Sequence, residues 1–156
     1  MTRPRIYVLP DVPHLAPVVA GWWFSEWGHL VPNSTVDGWR DNMIRKQMNR
    51  ETIQIVFVAV VGAEPVGACA IVNHDMATHR ELSPWLSGVY TPTSQRRRGI
   101  ASALVLRALD AAAGLGVTKL FLYTRHAESL YARLGWQTFS RELYQGNEVA
   151  MMSKDL

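Results

Sequence analysis

The sequence predicts an α+β fold, a mixed sheet carrying helices, on three observations. Strand-like and helix-like segments follow one another in the order β-α-α-β-β-β-α-β-α-β-β. An apolar strand, Pro84 to Thr91, runs through a basic, glycine-containing turn into a long amphipathic stretch. No repeat, low-complexity segment or linker divides residues 1–156, which therefore read as a single domain with a sizeable core.

Arg5 to Leu9 is a short strand closed by Pro10. Asp11 and Pro13 have the chemistry of a helix start, an acidic cap followed by proline. Leu15, Val19, Trp22, Trp23 and Trp27 then fall near helical spacing, giving one aromatic-rich face. Ser34 with Asp37 has the spacing of a capping box, opening a helix to about Asn49. Gln54 to Val61 and Val66 to Val72 are apolar strands joined by the turn at Gly62 to Pro65. A polar loop, Asn73 to Ser83, leads to the central strand. After the basic turn, apolar residues at 100, 104, 108, 111 and 115 repeat with a 3.6 period. Gly114 and Gly116 end that helix. Val117 to Tyr123 is a strand and Ala127 to Leu134 a short helix ending at Gly135. Trp136 to Tyr144 and Glu148 to Ser153 close the chain as a hairpin.

Composition narrows the function classes. A hydrophobic fraction of 48% and a charged fraction of 19% are those of an ordinary globular protein. The net charge of +3 suits an anionic ligand but is too small to argue for nucleic acid. The one cysteine, Cys69, leaves no intramolecular disulfide and fits a reducing compartment. No apolar run reaches membrane-spanning length, and the first residues carry no secretory pattern, so a cytoplasmic location is expected. No His, Cys and Asp cluster has metal-ligand spacing, so no metal is expected.

The chemistry concentrates in Arg96-Arg97-Arg98-Gly99-Ile100-Ala101. The first amides of a helix have no intrahelical partner, and the helix dipole adds positive potential there. Gly99 lets a phosphate approach the backbone, and three arginines add full charge. Neither Gly-x-x-x-x-Gly-Lys-Ser/Thr nor Gly-x-Gly-x-x-Gly is present, which excludes the two commonest nucleotide turns. The pattern Arg96-x-x-Gly99-x-Ala101 instead resembles the acetyl-CoA signature of the GNAT family of N-acetyltransferases. Tyr131-Ala132-Arg133-Leu134-Gly135-Trp136 resembles that family's Tyr-x-x-Leu-Gly-Phe/Trp segment. The element order is similar to the family's over essentially the whole chain.

The resemblance implies an acetyl-CoA-dependent N-acetyltransferase that acts by direct attack of a primary amine in a ternary complex. It implies that the amides of Arg96 to Ala101 hold the CoA pyrophosphate, and that the backbone of Val89, Tyr90 and Thr91 holds the pantetheine. That in turn expects the central strand to splay from the strand near Thr118. Tyr131 is implied as the general acid at the CoA sulfur. Thr124 stands where the family often has a cofactor-contacting Asn, and a hydroxyl cannot copy an amide.

The attacking ammonium must lose a proton, and Glu81 is the first choice of base among the loop residues His74, Asp75, His79 and Glu81. Proton loss through ordered water is the alternative. Glu26, Trp27, His29, Asp75, Trp85 and Ser87 are the expected acceptor-side residues, with Trp22 and Trp23 as further candidates for the pocket wall and flat rings suited to apolar or cationic groups. The acceptor is a small-molecule or peptide amine. Two other functions compete: a CoA-binding regulator without turnover, and a basic nucleic-acid module reading through the helix after Gly99. The apolar surface of that helix argues against the second. A homodimer through an edge strand is left open.

Overall fold

The computed structural model describes residues 3–156, and seven strands form one sheet. The elements are β1 (Arg5–Val8), α1 (Ala16–Trp27), α2 (Val36–Lys46), β2 (Ile55–Val61), β3 (Glu64–Val72) and β4 (Trp85–Tyr90), followed by α3 (Ile100–Gly114), β5 (Lys119–Thr124), α4 (Glu128–Arg133), β6 (Gln137–Tyr144) and β7 (Asn147–Asp155). Both the class and the order match the sequence-based expectation. Spatially the strands run β1-β2-β3-β4-β5-β7-β6. All neighbours are antiparallel except β4 and β5.

Alternation along the strands sends side chains to two cores, one on each face of the sheet. Leu9, Val19, Trp23, Met43, Val58, Trp85 and Met151 belong to the core under α1 and α2. Phe57, Ile71, Leu104, Leu120, Tyr131 and Met152 belong to the core under α3 and α4. The central strands β2 and β3 are buried over most of their length, which explains their uninterrupted apolar sequences.

Three local expectations change. Asp11 caps no α-helix: Leu9–Asp11 and Pro13–Leu15 form 3₁₀ turns, and α1 begins only at Ala16, with a proline in its first turn. Asp11 instead pairs with Arg50. Thr35, not Ser34, caps α2, accepting the Gly38 N–H at 3.0 Å. Ser34 has turned away to donate to the Gly28 carbonyl at 2.9 Å. On α3 the buried stripe is Ile100, Leu104, Val105, Ala108, Leu109 and Ala112, whereas Leu115 is 38% exposed. That stripe packs on the sheet, so α3 is not free to enter a nucleic-acid groove.

The pairing of β4 with β5 positions the site. Only Trp85 and Phe121 are in register, with the Phe121 N–H donating to the Pro84 carbonyl at 3.1 Å. Beyond Trp85 the strands part. On the opposite edge β4 stays paired to β3, but its register slips between Ser87 and Tyr90. Gly88 absorbs this bulge at φ +62°, and its carbonyl accepts the Trp23 indole N–H at 2.8 Å.

Candidate active site

The parting of β4 and β5 opens a cleft of about 560 Å³. Leu86, Ser87, Gly88 and Val89 line one side, and Leu122, Tyr123 and Thr124 the other. Its lining draws on both faces of the sheet: Tyr131 from the α3/α4 side, Trp23, Trp27 and Trp39 from the α1/α2 side. The cleft therefore passes through the sheet where the backbone ladder is interrupted.

Beyond Val89, the chain reaches the basic turn. Thr91 is buried, and its Oγ1 has no hydrogen-bond partner. Its carbonyl accepts the Arg96 Nε–H at 3.0 Å, fixing the base of the turn. Arg97 stands at φ +64° and Gly99 at φ +76°, both left-handed. Alternating handedness of this kind turns successive amides toward one concave side, a nest for an anion. The Gly99 carbonyl takes the Ala103 N–H at 3.0 Å, so the amides of Ile100, Ala101 and Ser102 precede the first intrahelical bond. A Cβ at Gly99 would meet open space, so the approach to those amides is clear. Arg96, Arg97 and Arg98 are exposed around it. Ile100 points into the core, and Ala101 is half-buried. These features fit the pyrophosphate of a CoA-type ligand, and the free edge of β4 fits its amide-bearing arm.

At the inner end of the cleft, Tyr131 is 6% exposed and packs edge-on to Trp136, ring centroids 6.1 Å apart. Burial pushes its phenol well above the ordinary tyrosine range, with the neighbouring Cys69 adding to the rise. The hydroxyl is thus a firmly protonated donor. Thr124 lines the cleft, and its Oγ1 accepts the Ala127 N–H at 3.0 Å, starting α4. Its remaining capacity toward a ligand is one O–H and one acceptor lone pair.

The acceptor-side residues divide. Glu26, Trp27, Asp75 and Ser87 line the cleft. His29 sits exposed on the 3₁₀ turn Gly28–Leu30 and is not part of the lining. Trp85 is fully buried, against the expectation that it walls the pocket. As the first residue of β4 it faces the core, packs against Phe121 and Tyr123, and donates its indole N–H to the Leu82 carbonyl at 2.8 Å. Trp22 stacks on Tyr90 with centroids 5.6 Å apart, and Trp27 meets the same ring at 6.3 Å.

Glu81 does not line the cleft. Its side chain is 64% exposed and is held by His79 Nδ1 at 2.8 Å, which draws its carboxyl below the usual range. Of the loop's carboxylates, the one that lines the cleft is Asp75. Burial raises its pKa to about 7, and the nearby Ser87 hydroxyl opposes the rise. A carboxylate in that range is matched to proton transfer near neutral pH. Trp39, Gln47, Gln54, Tyr123 and Tyr144 also line the cleft and went unrecognised in the sequence. For the tyrosines a signal existed: Tyr123 alternates with buried Leu120 and Leu122, so it had to face the other side.

The chain belongs to the acetyltransferase (GNAT) family, whose model matches residues 19–136. Members of this family use acetyl-CoA as acyl donor. Among solved structures, an aminoglycoside 6'-N-acetyltransferase complexed with coenzyme A is 16% identical, with a TM-score of 0.75 over 97% of this chain and 96% of that one. The Salmonella typhimurium protein yncA, solved with its cofactor acetyl-CoA, is 12% identical, with a TM-score of 0.75 over 99% and 94%. Ribosomal-protein-alanine N-acetyltransferase from Brucella melitensis is 16% identical, with a TM-score of 0.71 over 97% and 99%. At these identities the likeness establishes the fold. Comparison with curated proteins gives no match.

Proposed function

We propose that this protein transfers an acetyl group from acetyl-CoA to a primary amine, both held at once in the cleft. Acetyl-CoA supplies the thioester acyl group. The amides from Arg96 to Ala101 hold its pyrophosphate, helped by the arginine charges. The backbone from Val89 to Thr91, left free by β5, holds its amide-bearing arm.

Asp75, which lines the cleft with Ser87, accepts a proton from the incoming ammonium. A base with a pKa of about 7 is largely ionised at slightly alkaline pH and still basic enough to act. Tyr131 donates a proton at the sulfur that departs; its buried phenol has no tendency to ionise first. The amine's substituent lies against Trp27 and Trp39, with Glu26 near for a cationic group. Glu81 takes no part in proton transfer.

The observation that carries this reading is the through-sheet cleft, which joins a protonated phenol on one face to a poised carboxylate on the other. Thiol release from acetyl-CoA, followed across a panel of primary amines and their tertiary counterparts, tests it. Release that depends on a primary amine supports the proposal. Release no faster than hydrolysis with every amine, from protein that binds the cofactor, would leave a silent CoA-binding protein instead.

A further inference from the structure

We propose that His79 is a positioning residue for the reaction: as an imidazolium it clasps the loop bearing Asp75 to strand β6. The inference rests on the role given to Asp75 above. His79 lies between two carboxylates, with Nδ1 at 2.8 Å from Glu81 Oε1 and Nε2 at 2.7 Å from Glu142 Oε1. Carboxylates only accept. A neutral imidazole has one N–H and can satisfy one of them, leaving a lone pair against the other, so the two contacts together require both ring nitrogens to be protonated. Glu81 comes from the loop itself and Glu142 from β6, where Ser140 Oγ donates to its second oxygen at 3.2 Å.

A second contact joins the same two elements. The Ala77 N–H donates to the Tyr144 hydroxyl at 3.1 Å. Tyr144 also lines the cleft and packs edge-on to Tyr123, centroids 5.3 Å apart, and Tyr123 lies in the field of Asp75. Asp75 therefore sits between the clasp and the core. The buried Met76 and the Trp85–Leu82 bond hold the loop from below, while His79 and Ala77 hold its outer turn. Both carboxylates raise the affinity of His79 for its proton. The clasp is consequently complete while both carboxylates are ionised and the imidazole is charged, and is lost as pH rises through the raised imidazole pKa.

Hydrogen exchange over residues 73–83, corrected for the intrinsic pH dependence of exchange, reads the clasp without reference to catalysis. Wild-type protein is expected to lose protection by about fivefold between pH 6 and pH 9, the scale of an exposed ion pair. His79→Arg, whose guanidinium donates in two directions at every pH, should keep that protection throughout. His79→Gln should lack it throughout. The same protection curve in all three proteins overturns the proposal. Turnover separates this from the reading beneath it: loss of the clasp predicts a fall in kcat at alkaline pH that should shift outward in His79→Arg, whereas full activity in Asp75→Asn would remove the base and leave the exchange result to decide the clasp.

Discussion

Two side chains carry the proposed chemistry, and each makes a prediction of its own. Tyr131→Phe removes one oxygen and keeps the ring that packs on Trp136. Turnover should fall by roughly 10²-fold or more, the usual contribution of a positioned acid, with little change in unfolding temperature. Wild-type kcat in this variant, measured by thiol release, would remove the phenol from the reaction. Asp75 makes a prediction about pH with a definite sign. Its native pKa of about 7 lies above the ordinary aspartate value, so the folded protein binds this proton more tightly than the unfolded chain. The group's contribution to stability is fully present below the unfolded pKa of ~4 and is lost as pH rises through about 7. Asp75→Asn should therefore raise Tm at pH 8, by about 3 °C if ~1 kcal/mol of burial cost is relieved, and leave it unchanged at pH 4. The acidic limb of the wild-type rate profile near pH 7 should disappear with it. Which loop carboxylate takes this role was not legible in the sequence. Asp75 and Glu81 are six residues apart in one polar segment, and only the loop's path turns one into the cleft and the other to solvent.

At the scale of elements, the bulge in β4 couples α1 to the cleft. Gly88 lies at φ +62°, and a Cβ there would come within 2.8 Å of the Trp23 ring. Gly88→Ala must strain the backbone and displace an indole that is 5% exposed and bonded to the Gly88 carbonyl. A cost of about 1–3 kcal/mol is expected. For a chain of this size that lowers Tm by several degrees, at about 2–4 °C per kcal/mol. Unfolding at the wild-type temperature would show that the bulge is not tied to Trp23. The sequence made element order and type readable because period-2 and period-3.6 patterns are set by burial on two faces of a sheet. Element starts were less readable. Ser34 and Thr35 are equal as caps by chemistry, and the choice between them fell to a distant partner, the Gly28 carbonyl. Trp85 reads like the other tryptophans until its position at the centre of the sheet places it in the core. The geometry of the basic turn was the more legible feature, since an anion nest needs only backbone amides and a glycine.

The molecule as a whole is a sheet broken at one point. Five of the six neighbouring strand pairs are antiparallel ladders, and the sixth, the parallel β4/β5 pair, holds a single register contact before it opens. Backbone groups at such an opening require a partner, and the cofactor arm would supply it as the arginine-rich turn takes the phosphates. In the proposed reaction the cofactor would come from the side of the basic turn and the amine would lie among the tryptophans that line the cleft. The most direct test is thermal unfolding with and without millimolar acetyl-CoA, on wild-type protein and on Gly99→Asn. Asparagine tolerates the left-handed backbone at φ +76° but projects a side chain into the open approach to the amides. At a ligand concentration 100 times Kd the wild type should gain about 2.7 kcal/mol, a rise of roughly 5–10 °C. Gly99→Asn should fold and show little of that rise. An unchanged Tm in the wild type at millimolar acetyl-CoA would contradict the cofactor site on which the proposed reaction depends.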